Sequence, residues 1–113
     1  MALKLMADSW ALIEFMQKGP RWEAVRRHLL SSDEILVTPL LVSELYYRIR
    51  QQEDEATALD AIRFVKERTR LCELSVETAI AAGKIHLQEK LPLVDAFTLA
   101  VARKEGAKVL TGD

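Results

Sequence analysis

One cysteine, two histidines and four glycines are spread over 113 residues, and each scarcity removes a class of explanation. Cys72 alone cannot build an internal disulfide framework and suits a reducing compartment. Set in RLCEL, it reads as a small buried hydrophobe rather than a nucleophile. His28 and His86 are far apart and show no ligand spacing, so zinc chemistry is unsupported. Gly83 and Gly106 are isolated and TGD is too short to cradle a phosphate. Neither Ser9 nor Ser43 has a neighbouring base that would activate it as a nucleophile. Charge of one sign is also missing. The net charge is −1, so a nucleic-acid partner would need a local basic patch. Candidate patches are Arg21, Arg26, Arg27 and His28, then Arg48 and Arg50, then Arg103, Lys104 and Lys108; each also reads as a solvated helix face. The longest apolar run, LPLVDAFTLAVA, is broken by Asp95 and falls short of the roughly 20 residues that span a bilayer. Lys4 is soon followed by Asp8 and Glu14, which does not read as a signal peptide. The expectation is a cytoplasmic protein with no membrane partner, forming a single domain over residues 1–113.

What is present alternates between two periods. LKLMA is strand-like, and Asp8-Ser9 caps a helical segment through about residue 18. Gly19-Pro20 stops it, and Pro20 can open a second helix to about Leu30. EILVT is a second strand, after which Thr38-Pro39 is an N-cap followed by proline at the first helical position. The polar break QQEDE leads to a helix over about residues 55–69, and LCEL is a short third strand. Ser75 caps a helix to about Lys90. Pro92 opens the last helix, which Gly106 ends, and AKVLT is a fourth strand. Strands separated by helices imply parallel crossovers, hence a three-layer α/β domain with a central parallel sheet.

Four acids stand out against this pattern. Asp8 ends the first strand and Glu44 interrupts ILVTPLLVSELYY. Asp95 is the only charge from Leu91 to Ala102, and Asp113 closes KVLTGD. Ionised carboxylates are costly to bury without a partner. Singly, Asp8 can be an N-cap, Asp95 a first-turn dipole partner and Asp113 a polar chain end. Glu44 lines up with Leu40 and Leu41 and has no such local role in this reading. Sites in open α/β sheets form beyond the carboxyl ends of the strands, where all four acids can converge. Oxygen ligands without His or Cys point to a hard divalent cation, Mg²⁺ or Mn²⁺. Such an ion would let an acidic cleft accept a phosphodiester, so the residues point to metal-dependent phosphodiester hydrolysis.

LMADSWAL, TPLLVSEL and LPLVDAFTLAVARKEGAKVLTGD, in this order over nearly the whole chain, resemble the PIN domain family, particularly its small VapC-type ribonuclease toxins. The resemblance implies a parallel sheet of order 3-2-1-4-5, of which four strands are legible. Relative to the family a fifth strand after Asp113 is missing, so the domain reads as C-terminally truncated. It implies that Asp8, Glu44, Asp95 and Asp113 are catalytic metal ligands, directly or through water, with Ser9 and Thr111 in support. It further implies Mg²⁺ or Mn²⁺ as cofactor, RNA as substrate, an antitoxin protein as partner and a homodimer. Three other functions stay open: a PIN-type nuclease in RNA maturation without an antitoxin, a catalytically idle binding module, and a Mg²⁺-dependent phosphatase. The phosphatase is weakened by Trp10, which stands where a second acid would be needed two residues after Asp8.

Overall fold

Helix capping and strand alternation place the elements almost where the sequence reading puts them. The computed structural model describes residues 3–111. β1 (Lys4–Ala7) leads to α1 (Ser9–Met16), α2 (Trp22–Ser31) and β2 (Glu34–Val37). The helical pair α3 (Pro39–Arg50) and α4 (Glu55–Arg68) follows, then β3 (Arg70–Leu71). A second pair, α5 (Val76–Glu89) and α6 (Leu93–Glu105), precedes β4 (Lys108–Leu110). All pairings are parallel, in the order β3-β2-β1-β4, so the expected three-layer α/β sheet is present.

Both faces of this sheet are buried, as parallel sheets require. Alternation within each strand divides the core between the faces. Ala7 and Val37 pack with Leu12, Leu41, Leu45, Ile49 and Val65 of α1, α3 and α4. Met6 and Leu36 pack with Cys72, Val101 and Ala102 on the other side. Cys72 is therefore a core residue, and burial pushes its thiol pKa up, away from nucleophilic use.

Asp8, Thr38 and Ser75 each accept a backbone N–H three residues on and open α1, α3 and α5 as expected. Gly106 closes α6 at φ 68, in the left-handed region that suits glycine. Several boundaries shift. α1 ends at Met16, and α2 begins at Trp22 rather than Pro20. The Glu14 carboxylate accepts from Arg21 N, holding the intervening turn in a form that proline chemistry did not reveal. The third strand is Arg70–Leu71 instead of LCEL, because its parallel partner β2 ends at Val37, opposite Leu71. Pro92 precedes α6 as its N-cap residue with an extended ψ of 148°, so the first helical residue is Leu93.

Candidate active site

The carboxyl end of β1 delivers Asp8. Its side chain accepts from Ala11 N at 2.9 Å, which orients the carboxylate over the start of α1. Its own N–H donates to Leu110 O at 3.4 Å, tying the ends of β1 and β4 together. Thr111 follows β4 directly, so chain direction alone carries it to the same edge. α6 starts at that edge too, with Asp95 in its first turn. There the carboxylate complements the helix dipole.

Asp8, Asp95 and Thr111 line one pocket of ≈ 270 Å³ together with Leu91, Thr98, Leu99 and Val109. Leu91, Leu99 and Val109 form the apolar wall of this pocket beside Asp95. Thr98, which sequence reading passed over, is buried, and its hydroxyl donates to Val94 O at 3.2 Å within its own helix. Its i+3 spacing from Asp95 was the available signal. A larger depression of ≈ 630 Å³ lies where the ends of α1 and α3 meet α4, lined by Phe15, Met16, Ile49 and Phe64 among others. Size favours that depression. Chemistry favours the smaller pocket, because it lies beyond the carboxyl ends of parallel strands and brings Asp8, at the β1–α1 junction, together with Asp95 of α6.

Glu44 is not among the residues that line the pocket. It is half-buried on α3, and its Oε2 accepts from Arg48 Nη2 at 3.1 Å, with side-chain exposures of 17% and 52%. Sequence reading found no local role for Glu44; the i,i+4 ion pair supplies one. Ser9 is the first residue of α1, half-buried beside Asp8 and outside the pocket lining. Asp113 lies outside the described residues. The structure therefore brings together Asp8, Asp95 and Thr111 of the sequence-predicted set and leaves Glu44 in its own ion pair.

Among the described residues, no group of three or more His, Cys, Asp or Glu side chains forms a ready metal cage. Two carboxylates with a hydroxyl nearby still fit a hard cation. Mg²⁺ keeps several waters and takes one or two protein carboxylates plus phosphate oxygens. Zinc or a soft metal would need nitrogen or sulfur donors that this pocket lacks among its lining residues.

The PIN domain pattern matches residues 5–113. The chain belongs to the PIN domain family. Solved PIN-like structures share its fold. VapC20 of Mycobacterium tuberculosis, a sarcin–ricin loop cleaving toxin, superposes with TM-score 0.78 at 18% identity, covering 96% of this chain and 91% of that one. A toxin–antitoxin complex from Klebsiella pneumoniae gives 0.78 at 17% identity, with 96% and 86% covered. VapBC-1 from nontypeable Haemophilus influenzae gives 0.76 at 18% identity, with 98% and 87% covered. At such identities the likeness is one of fold. No curated protein sequence matches significantly. Among the described residues, no helix is long and apolar enough to cross a membrane.

Proposed function

We propose that this PIN domain is a Mg²⁺- or Mn²⁺-dependent endoribonuclease, the toxin of a type II toxin–antitoxin pair. It would act in the cytoplasm as a homodimer and be silenced by its antitoxin protein. The observation that carries the reading is the pairing of Asp8 and Asp95 in one pocket beyond the carboxyl ends of parallel strands. The VapC toxins and VapBC complexes that share the fold support the toxin assignment.

Asp8 and Asp95 would hold the cation, with Glu44 and Asp113 completing the acidic set and Ser9 and Thr111 as supporting hydroxyls. When bound, the cation would offset phosphate charge and make water a better nucleophile at neutral pH. The chain's own groups do the rest. Ala11 N–H fixes the Asp8 carboxylate, and α6 fixes Asp95. Leu91, Leu99 and Val109 give the pocket an apolar wall that limits water and strengthens the electrostatics within it. Thr111, at the exposed rim, can donate a hydrogen bond to a phosphate oxygen. Glu44 would act from its ion pair with Arg48, which sets its carboxylate on α3 while neutralising part of its charge.

The test is incubation of the protein with a structured RNA in Mn²⁺ or Mg²⁺, with and without chelator. Cleavage with metal and none with chelator is expected. Cleavage unchanged by chelator would overturn the metal requirement. RNA bound but left intact at matched metal would favour a binding module instead.

A further inference from the structure

Lys90, Leu91 and Pro92 turn the chain from α5 into α6, and by themselves they do little to hold the turn. Lys90 sits at φ 57, in the left-handed region that residues other than glycine rarely adopt. Pro92 occupies the N-cap of α6 and has no side-chain acceptor for the free N–H groups of the helix start. His86, in the last turn of α5, supplies what is missing. Its backbone oxygen accepts from Lys90 N at 3.1 Å, and its ring Nδ1 lies 2.5 Å from Leu91 O. A carbonyl only accepts, which assigns the ring hydrogen to Nδ1. The two bonds clasp Lys90 and Leu91 in succession.

Leu91 connects this clasp to the site. Its side chain packs against the cluster of Ala82, Ile85, Ala96 and Ala100 that joins α5 to α6, and it also lines the pocket. Asp95 stands four residues on, one helical turn away, and lines the same pocket. The alanines of the cluster let the helices approach closely but offer shallow ridges to stop one sliding along the other. The turn therefore sets how far α6 advances, and with it where Asp95 stands relative to Asp8. Asp8 needs no such help, because Ala11 N–H of its own helix fixes its carboxylate. Groups that act together on one reacting centre tolerate misplacement poorly, and a shift of about 1 Å is enough to matter.

We propose that His86 is a positioning residue of the active site: through its Nδ1–H bond to Leu91 O it locks the α5–α6 turn and sets Asp95 against Asp8. The inference rests on the metal-dependent ribonuclease reading above. His86 is not among the residues that line the pocket, and it acts through Leu91. A histidine that served only the end of α5, by complementing the helix dipole, would not need one particular ring nitrogen.

Three variants separate the bond from the side chain. His86→Asn keeps an N–H donor on the atom that replaces Nδ1. His86→Gln moves that donor one carbon farther out, and His86→Phe keeps a ring without a donor. Each is checked for native circular dichroism, titrated with Mn²⁺ in the absence of RNA by electron paramagnetic resonance, and assayed for cleavage of a structured RNA. The Gln and Phe variants should bind Mn²⁺ about tenfold more weakly and lose kcat by a similar factor, with KM for RNA within about twofold. His86→Asn should stay within about threefold of the wild type in both respects. Helix propensity ranks Gln above Asn, so a role confined to helix stability would give the opposite order. Nitrogen NMR of the wild type at alkaline pH should find the ring hydrogen on Nδ1. Gln and Phe variants that bind Mn²⁺ and cleave like the wild type, or a ring hydrogen on Nε2, would overturn the role of His86 and leave the ribonuclease reading standing. Equal losses in all three variants would overturn the hydrogen bond as the cause. A wild type that neither binds Mn²⁺ nor cleaves RNA overturns the ribonuclease reading, and this inference with it.

Discussion

At the amino end of the sheet, Glu34 and Glu105 share the guanidinium of Arg70, at 3.1 and 2.7 Å, and Lys4 approaches Glu105 at 3.8 Å. At the carboxyl end, Asp8 and Asp95 line a pocket whose other described lining residues are Leu91, Thr98, Leu99, Val109 and Thr111. The first arrangement is answered within the chain. Hydrogen bonding from Arg70 is the main reason the Glu105 carboxyl lies below its ordinary range, and contacts with Glu105 and Glu34 lift the Arg70 guanidinium above its own. The second arrangement places carboxylates around space that a cation and a phosphate can enter. Acids alone do not mark a site; acids on separate elements, beyond strand ends and lining one pocket, do.

The sharpest break between the two ends should come from substitution at Asp8 and Asp95. Asp95→Asn should lower metal-dependent RNA cleavage by about 100-fold or more, the scale of removing a preorganised charged group. Asp8→Asn and Asp8→Ala separate the two roles of Asp8. Asn is as good an N-cap as Asp, so Asp8→Asn should lose activity and keep its melting temperature. Asp8→Ala should lose both, with about 1 kcal/mol of stability gone with the cap. Thermal melts alongside a cleavage assay decide it. Equal melting losses for both variants would mean that charge, not capping, ties Asp8 into the fold.

These capping roles were legible because they are local. Asp8, Thr38, Ser75 and Gly106 each act on residues at most four positions away, and their chemistry is written beside them. The parallel sheet was legible for a related reason, since helices between successive strands leave crossovers as the simple solution. What escaped the sequence was side-chain pairing at long separation. Arg70 meets Glu34 and Glu105 more than thirty residues away in either direction, and nothing in RLCEL announces it. The site was half legible: strand order brings Asp8 and Asp95 to one edge, whereas the side-chain direction of Glu44 depended on Arg48 one turn on.

The amino-end network gives a second contrast, in pH. A carboxyl depressed in the folded state contributes stability that is present above its unfolded pKa, about 4.3 for Glu, and is lost as pH falls through the lower folded value. Glu105→Gln should therefore melt below the wild type at pH 7, by about 1 kcal/mol or less for so accessible a network. The gap should close progressively below about pH 4.3 as the wild-type carboxyl takes up its proton. RNA cleavage should not change. Melting curves from pH 7 to pH 2 check this, and a gap that persists undiminished at pH 2 would assign the loss to packing of the Glu105 stem.

The smallest effect falls on the residue that belongs to neither end cleanly. If Glu44 only serves its helix, then Arg48→Ala and Glu44→Gln should behave alike, each costing about 0.3–0.5 kcal/mol as a partly exposed i,i+4 pair and leaving cleavage intact. If Glu44 belongs to the acidic set, the two diverge. Glu44→Gln should then cut cleavage about tenfold or more, while Arg48→Ala changes it by no more than about threefold, because the carboxylate keeps its place on α3. The proposed function requires the divergence. Matched cleavage rates in the two variants would place Glu44 with Glu34 and Glu105, as an acid whose charge the chain has already answered.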